Sequence, residues 1–430
     1  MFTKICIENF KGILNKIEFN FIAKSRNKDK QICLYKTHDG IYINKLIGIL
    51  AGNASGKTTI IDALGTLGNL MVEPIMLFDL EEEKNNIMKM IKDSRNDFAE
   101  LNQRIEKMSN SVCLEVQHVS GKNKDTCIQV EMYIEENELS GYYKYMLQFN
   151  AVNKKITTEK FTYRKNYKSK EKEILDLHDI SECQLYYINR YYDNMMNLEM
   201  VNKESLEEQY KFIKTFLNHY INDSKIVGTK IPDFLEEISF LNFYRKNPQI
   251  MEQIIKIVDP KINSIQMKPD SDEDELIYEL KTGGNITRKN LSTGTKRFLS
   301  LIFNAMNVIK CKGVLLIDEI EENMHKELIF LILRLFVQLD NNSTQIIFST
   351  NLPEIFDCIN EHEQKLFKQD SIYLLNNING NVEAFRMSEI KIKGKRIKGD
   401  ALVSTIYKKG DISVQPNKRE INEFLKILNN

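Results

Sequence analysis

The sequence predicts an α/β fold that combines a parallel sheet, an antiparallel β meander and an inserted helical lobe. In the last third of the 430-residue chain, short apolar runs alternate with helical patterns, which is typical of a parallel sheet covered by helices. Further upstream, several segments alternate between apolar and polar residues at a period of two, as antiparallel strands do. The chain has only 7 prolines and 18 glycines, so long uninterrupted elements are expected.

The first elements follow from local patterns. Alternation over Phe2–Ile7 and Ile17–Phe21 predicts a hairpin, and the apolar run within Ile41–Leu50 predicts a buried parallel strand. A helix is expected over Thr59–Leu67. The charged, proline-free stretch from residue 79 to 108 predicts exposed helices, either a solvated flap or a short coiled-coil arm.

The remaining elements divide into a meander, a helical stretch and an alternating α/β region. The meander strands are Val112–Val116, Ile128–Ile134, Tyr143–Phe149 and Ile156–Tyr163. The helices after the meander are Leu206–Tyr220, Pro232–Tyr244 and Pro248–Val258. The last region contains strand Ile277–Leu280, helix Leu299–Val308, strand Val314–Ile317, helix Lys326–Leu339 and strand Gln345–Ser349.

The balance of charges argues against a highly basic nucleic-acid binder. Lys and Arg number 60 and Asp and Glu number 60, so the chain lacks the large positive charge of a histone-like nucleic-acid binder. A local basic run that could touch nucleic acid, or simply be solvated, consists of Lys391, Lys393, Lys395, Arg396 and Lys398.

Targeting and redox signals point to the cytoplasm. The longest apolar runs, Leu46–Ala51 and Leu328–Leu333, are too short to span a bilayer, so no membrane partner is expected. The first residues lack the layout of a signal peptide. Seven scattered cysteines without a CxxC pair indicate reduced, buried thiols rather than disulfides or a zinc site.

The strongest motif is a phosphate-binding loop between a predicted strand and a predicted helix. Backbone N–H groups of such a loop and the positive end of the helix dipole bind phosphate. We expect Lys57 to reach the β- and γ-phosphates of ATP, and the Thr58 hydroxyl to ligate Mg²⁺. The predicted nucleotide-binding residues are Gly52, Asn53, Ala54, Ser55, Gly56, Lys57, Thr58 and Thr59.

This loop departs from the GxxxxGK[ST] pattern at its first position. Ala51 stands where the pattern has glycine, and its methyl group is tolerable if the residue keeps a negative φ. The alternative, a chance turn that contains glycine, is disfavoured by the strand before it and the helix after it.

A second motif places two carboxylates after an apolar strand. Asp318 and Glu319 follow Val314–Ile317, and the carboxyl edge of a parallel sheet is where ligands bind. We expect Asp318 to hold Mg²⁺ and Glu319 to act as the general base on the attacking water. The alternative is a strand that simply ends in two solvated acids.

A third motif, Leu291–Thr295, reads Leu-Ser-Thr-Gly-Thr and leads into a helix just upstream of the Asp-Glu strand. By itself such a start is an ordinary helix N-cap. The order of phosphate loop, Leu-Ser-x-Gly and strand-Asp-Glu resembles the ABC-type ATPases. The resemblance implies that Ser292 and Gly294 contact the γ-phosphate bound by an opposing subunit.

Further segments narrow the resemblance to the OLD-like and RecF-like, SMC-related ATPases found in bacterial abortive-infection systems. The segments that carry it are Asn9–Gly12, Asn53–Lys57, Ile156–Tyr163, Gly294–Arg297, Asp318–His325 and Asp400–Gly410. The resemblance implies an ABC-type ATPase head that forms a homodimer around two ATP molecules with Mg²⁺. It also implies a role in anti-phage defence beside a separately encoded toxin or nuclease effector.

The domain division expected from this resemblance is discontinuous. The head comprises residues 1–71, 111–165 and 258–430, with a helical insertion at 72–110 and a helical lobe at 166–257. No built-in nuclease is expected, because the 79 residues after Asn351 contain no strand that ends in Asp-x-Asp.

Two features leave alternatives open. Asn351 stands where that family usually has a switch histidine, and an amide can bind a γ-phosphate but cannot titrate. His325 is either a contact across the dimer or an exposed loop residue, and Gln117 and Gln129 are equal candidates for sensing Mg²⁺. The functional alternatives are a RecF-like or SMC-like DNA-binding repair ATPase, and an ATP-binding interaction protein with little turnover.

Overall fold

The computed structural model describes most of the chain. It covers residues 1–24, 32–52, 55–72, 124–150, 155–180, 183–185, 188, 203–220, 226–227, 241, 243–267, 276–338, 343–392, 394–397 and 401–408. The predicted helices at 79–108, the strand Val112–Val116 and most of the helix Pro232–Tyr244 lie outside these residues.

The described elements alternate between long strands and helices. The helices are α1 (Lys57–Val72), α2 (Lys203–Tyr220), α3 (Pro248–Val258), α4 (Thr293–Cys311), α5 (Lys326–Gln338) and α6 (Val403–Lys408). The first strands are β1 (Phe2–Glu8), β2 (Ile17–Asn20), β3 (Leu34–Lys36), β4 (Tyr42–Asn44), β5 (Leu46–Leu50), β6 (Thr126–Ile134), β7 (Gly141–Asn150), β8 (Lys155–Arg164) and β9 (Lys172–Ile180). The later strands are β10 (Ile226–Val227), β11 (Ile262–Met267), β12 (Leu276–Leu280), β13 (Asn285–Thr287), β14 (Val314–Ile317), β15 (Gln345–Thr350), β16 (Ile372–Ile378), β17 (Asn381–Arg386), β18 (Lys391–Ile392) and β19 (Lys395–Arg396).

The core sheet has the strand order β10-β14-β15-β5-β16-β17. Its strands pair in parallel except for β17, which runs antiparallel to β16 at the edge. Every residue of β5 and β14 is buried, because helices or the second sheet cover both faces. The predicted parallel sheet is thus confirmed.

The antiparallel sheet has the order β2-β1-β6-β7-β8-β9. The predicted hairpin of the first two strands and the meander strands from residue 126 to 164 are present in it. Strand β9 pairs with β8 and extends the sheet. It lies within residues 166–257, for which the sequence predicts only a helical lobe, so that expectation is wrong for this strand.

Helix α1 packs between the two sheets. Its buried residues Ile60, Leu64 and Leu67 belong to one hydrophobic cluster with the inner face of the antiparallel sheet and one face of the core sheet. The opposite face of the core sheet forms a second cluster with α3, α4 and α5. The phosphate loop therefore enters a helix that is fixed on both sides by apolar packing.

One buried side chain joins the two sheets near the start of β15. The Gln345 amide accepts the Phe2 N–H at 2.8 Å and donates to the Phe2 carbonyl at 3.1 Å and the Asn44 carbonyl at 2.9 Å. Gln345 is fully buried. Because all three bonds go to backbone, this side chain fixes β15 relative to β1 and β4.

The predicted buried parallel strand within Ile41–Leu50 is confirmed as β5, which enters the core sheet. The residues before Lys45 form a separate strand, β4, which pairs with β3. The Lys45 N–H bonds to the Cys33 carbonyl at the division. Alternation alone does not show that two halves of one run pair with different partners.

The predicted fold class is confirmed. The described residues form a mixed α/β structure with a parallel core that carries the phosphate loop and an adjoining antiparallel meander, as expected for an ABC-type ATPase head. None of the described helices has the length and apolar character needed to cross a bilayer.

Candidate functional site

Three loops meet at the carboxyl edge of the core sheet. Strands β14, β15 and β5 are parallel neighbours, with Ile317 opposite Phe348 and Thr350 opposite Leu50. The residues that follow these strands are therefore the Asp-Glu pair, Asn351 and the phosphate loop. The site arises because parallel strands present their carboxyl ends on one side of the sheet.

Hydrogen bonds between its own residues stabilise the phosphate loop. Ser55 Oγ donates to the Gly52 carbonyl at 2.7 Å, and Lys57 Nζ donates to the Ala51 and Gly52 carbonyls at 3.2 and 3.4 Å. Lys57 is 5% exposed. Asn53 and Ala54 lie outside the described residues.

The departure at Ala51 is accommodated without strain. Ala51 is fully buried, its N–H bonds to the Thr350 carbonyl at 3.1 Å, and its φ is not positive. The glycine that needs a positive φ is the later one, Gly56. Gly56 has φ +89°, and a Cβ there would lie 2.6 Å from Val382 Cγ2 on β17. No local pattern around Gly56 predicts that a distant edge strand packs against this loop.

The phosphate loop contacts the Asp-Glu pair directly. Thr58 Oγ1 donates to Asp318 Oδ2 at 2.6 Å, and Lys57 Nζ lies 3.8 Å from Glu319 Oε1. Thr58 is exposed, and the Glu319 side chain is 47% exposed. The structure thus brings together the four residues that two separate motifs predict, while Thr59 lies in the first turn of α1.

A residue that the sequence analysis missed supports this pair. Ser349 Oγ donates to Asp318 Oδ1 at 2.5 Å and accepts the Glu319 N–H at 2.8 Å. Glu319 has φ +48°, which is uncommon for a residue with a side chain. Ser349 could have been found by asking which polar residue ends the strand next to β14.

Asn351 is held through its backbone. Its N–H donates to Glu321 Oε1 at 2.7 Å, so the loop after β14 sets the place of this residue beside the phosphate loop. The other oxygen, Glu321 Oε2, is buried and has no hydrogen-bond partner among the described residues. The structure therefore places Asn351 at the predicted edge, with its backbone tied to the Asp-Glu loop.

The Leu-Ser-Thr-Gly-Thr motif begins helix α4 as an N-cap. Ser292 Oγ accepts the Thr295 N–H at 3.1 Å. Gly294 packs so closely on the loop after the Asp-Glu pair that a Cβ would lie 2.5 Å from the Asn323 carbonyl oxygen. Arg297 Nη2 donates to the Asp318 carbonyl at 3.2 Å, so α4 contacts the Asp-Glu loop of its own chain.

The remaining candidates have more ordinary surroundings. His325 is exposed, and its Nδ1 accepts the Glu327 N–H at 3.5 Å at the start of α5. Gln129 lies on β6 with its amide 4.0 Å from Cys6 Sγ, and Gln117 lies outside the described residues. In the basic run, Lys391 and Lys395 are exposed on the hairpin β18–β19, whereas Lys393 and Lys398 lie outside the described residues.

Several solved structures resemble this chain over most of its length. An SMC head bound to the C-winged helix domain of ScpA has 14% identity and a TM-score of 0.46, covering 89% of this chain and 97% of that one. The SMC head domain from Thermotoga maritima has 12% identity and a TM-score of 0.39, covering 90% and 98%. An SMC head with an extended coiled coil, bound to the C-terminal domain of ScpA derived from Pyrococcus furiosus, has 12% identity and a TM-score of 0.43, covering 89% and 95%.

Comparison of sequences identifies a family. No curated protein matches the chain in sequence. A family profile described as "AAA domain, putative AbiEii toxin, Type IV TA system" matches residues 143–357, which is half of the chain. The match includes the meander from β7 onward, the cap of α4, the Asp-Glu pair and Asn351. The chain therefore belongs to this AAA domain family.

Proposed function

We propose that this protein binds ATP with Mg²⁺ and hydrolyses it at the carboxyl edge of its core sheet. The observation that carries the proposal is the contact between Thr58 and Asp318, 2.6 Å apart, beside the 3.8 Å approach of Lys57 to Glu319. A phosphate-binding loop and a pair of carboxylates thus converge on one place. This combination is the one that phosphoryl transfer to water requires.

The side chains present fit a magnesium ion. Thr58 Oγ1 and Asp318 Oδ2 are hard oxygen donors, which Mg²⁺ prefers, and they face each other at hydrogen-bond distance. These two residues would hold the ion, directly or through water. When bound, Mg²⁺ neutralises charge on the phosphates.

Lys57 and Glu319 divide the remaining chemistry. The buried Lys57 ammonium would bind phosphate oxygens in exchange for the two loop carbonyls it now contacts. The half-exposed Glu319 carboxylate can accept a proton from a water molecule, which makes it the general base. Asn351 would bind the γ-phosphate through its amide without exchanging a proton.

The active unit in this proposal is a homodimer in which each ATP contacts both copies. The N-terminus of α4, a helix of 19 residues, carries Ser292 and Gly294 and supplies N–H groups and partial positive charge for a phosphate. In this arrangement, Ser292 and Gly294 of one copy contact the nucleotide held by Lys57 of the other. The resemblance to ABC-type ATPases supports this reading.

The biological role we propose is that of a cytoplasmic regulator in an anti-phage defence system, acting with a separate toxin or nuclease effector. The family description, which names a toxin of a type IV toxin–antitoxin system, supports a defence role. The toxin named in that description favours a second candidate function, in which this chain is itself the toxic component. Expression of the chain alone distinguishes them, because only the second candidate stops growth without a partner gene.

ATP binding is tested first, with Lys57→Ala. Removing the ammonium should lower ATP affinity by about 100-fold, because a charge-assisted phosphate contact is lost. Lys310→Ala, which removes an exposed lysine from the last turn of α4, remote from the helix N-terminus, is the matched control. Calorimetry that finds equal ATP affinity in wild type and Lys57→Ala would refute the assignment of the phosphate loop.

The dimer is tested with the slow variant Glu319→Gln. ATP should convert this variant from monomer to dimer in light scattering, and Ser292→Ala should weaken that conversion. A chain that hydrolyses ATP at full rate while it stays monomeric contradicts the shared site. Binding without turnover in the wild type favours the interaction-protein alternative, and ATPase stimulation by DNA favours the repair alternative.

A further inference from the structure

Ser349 occupies a position where one hydroxyl serves both carboxylate residues of the site. It is the next-to-last residue of β15 and is fully buried. Its Oγ donates to Asp318 Oδ1 at 2.5 Å and accepts the Glu319 N–H at 2.8 Å. Its carbonyl accepts the Ile320 N–H at 3.0 Å, so three successive residues are bonded to this one serine.

The hydroxyl fixes which way the Asp318 carboxylate faces. A serine hydroxyl has a single hydrogen, and here the hydrogen is used on Asp318 because the Glu319 N–H occupies a lone pair. The second carboxylate oxygen, Asp318 Oδ2, is then directed to Thr58 Oγ1 at 2.6 Å. Without Ser349, the carboxylate could rotate away from Thr58.

The same bonds hold Glu319 in its unusual conformation. Its φ of +48° lies in the left-handed region, where a side chain is disfavoured unless surrounding bonds hold the backbone. The N–H groups on both sides of the Glu319 carbonyl are bonded to Ser349. This backbone conformation sets the direction in which the Glu319 side chain approaches Lys57.

We propose that Ser349 is a positioning residue for metal binding and for the general base, an inference that rests on the proposed ATPase function. Ser349 acts through Asp318 and Glu319 and is not itself catalytic. Residues that orient a metal ligand commonly change metal affinity or activity by about 10-fold to 100-fold when they are removed. The role of Ser349 is therefore testable apart from overall stability.

The test compares Ser349→Ala with Thr344→Val. Thr344 directly precedes the same strand and is fully buried, and its hydroxyl has no hydrogen-bond partner among the described residues. The control therefore removes a buried hydroxyl from the end of β15 remote from the site. Ser349→Cys, which keeps the shape but donates weakly, provides a third chain if Ser349→Ala fails to fold.

Three measurements decide the matter. Electron paramagnetic resonance of Mn²⁺ in the presence of ADP should show about 10-fold weaker metal binding in Ser349→Ala and an intermediate loss in Ser349→Cys. Amide hydrogen exchange should be faster at Glu319 and Ile320 in Ser349→Ala. The kcat for ATP should fall by about 10-fold to 100-fold with little change in KM.

The outcomes separate this inference from the proposed function. Unchanged Mn²⁺ affinity and unchanged exchange in Ser349→Ala would overturn the inference, whatever the wild type does with ATP. Equal losses in Thr344→Val would also overturn it, because the effect would then belong to the strand as a whole. A wild type that fails to hydrolyse ATP refutes the proposed function, whereas Mn²⁺ binding and exchange still test Ser349.

Discussion

Two glutamates in different sheets show how differently this chain uses the same side chain. Glu159 on β8 is fully buried and accepts four donors: Tyr145 Oη at 3.0 Å, Cys183 Sγ at 3.1 Å, and the N–H groups of Gln184 at 2.6 Å and Leu185 at 3.1 Å. Glu319 is 47% exposed, with Lys57 at 3.8 Å.

The difference lies in what the surroundings leave for a ligand. The donors around Glu159 come from its own chain and tie the meander to the segment that follows β9. Hydrogen bonds fix the backbone of Glu319, whereas its side chain is open to solvent. This arrangement suits a group that must accept a proton from water. The comparison predicts that loss of Glu319 damages chemistry and loss of Glu159 damages stability.

The largest expected effect is on turnover in Glu319→Gln. This variant should lose about 10²-fold to 10⁴-fold in kcat, because an amide cannot accept the proton. Its free energy of unfolding should change by less than about 0.5 kcal/mol, as for a substitution away from buried contacts. Phosphate release and urea unfolding measure the two quantities. Glu327→Gln, an exposed glutamate of α5, is the control, and equal turnover in the two variants would exclude Glu319 as the base.

The next effect is on stability in Glu159→Gln. The new amide brings an NH₂ group among four groups that all donate to the present carboxylate, so the free energy of unfolding should fall by about 3 kcal/mol. The kcat should stay within about twofold of the wild type if the site is independent of this cluster. Urea unfolding and phosphate release check both expectations.

The matched control is Glu173→Gln on the neighbouring strand β9. The Glu173 side chain is 59% exposed and lies 2.9 Å from Lys160, so its loss should cost at most about 1 kcal/mol. If Glu159→Gln is as stable as Glu173→Gln, the four bonds to Glu159 contribute little and the contrast with Glu319 fails.

Much of the fold could be predicted because it follows from the local periodicity of apolar residues. The spacing of apolar residues predicted α3 and β14 with their observed bounds, and predicted the strands β6, β7 and β8 to within a few residues. The sequence motifs also predicted that Thr58 and Asp318 would share one sheet edge, because both follow buried parallel strands.

The rest depends on contacts between distant parts of the chain. Nothing local to Gly56 points to Val382, and nothing local to Gly294 points to the Asn323 carbonyl. Ser349 ends a predicted strand, but its role appears only once β15 is known to lie beside β14. Periodicity predicts which face of an element is buried and leaves open which neighbour covers it.

A smaller effect is expected for Gly294→Ala. The added methyl would lie 2.5 Å from a backbone oxygen, which cannot move as a flexible side chain can. We expect a loss of about 2 kcal/mol in the free energy of unfolding and a shift of the loop after Glu319. Gly65→Ala in α1 is the control, because a Cβ there meets nothing within 4 Å and should stabilise the helix by about 0.5 kcal/mol. Equal stability of the two variants would contradict the close packing of α4 on this loop.

The smallest expected effect is the pH dependence of the free energy of unfolding that arises from Glu159. Burial raises the pKa of Glu159 above its ordinary value, although hydrogen bonds from Cys183 and from the N–H groups of Leu185 and Gln184 oppose the shift. Between the unfolded and the folded pKa, the folded chain holds a proton that the unfolded chain has released. The folded state is therefore stabilised by low pH, and this contribution is lost as pH rises from about 4.3, the ordinary value, through the raised pKa.

Glutamine at this position does not titrate, so the difference between wild type and Glu159→Gln isolates this group. The stability advantage of the wild type should shrink as pH rises through that window, with a slope of at most about 1.4 kcal/mol per pH unit. Urea unfolding of both chains at a series of pH values above and below the window measures the difference. An advantage that grows with pH would mean that the four donors outweigh burial and keep the carboxylate ionised. Glu159 would then be an ionised carboxylate that four donors hold away from water, whereas the side chain of Glu319 is 47% exposed.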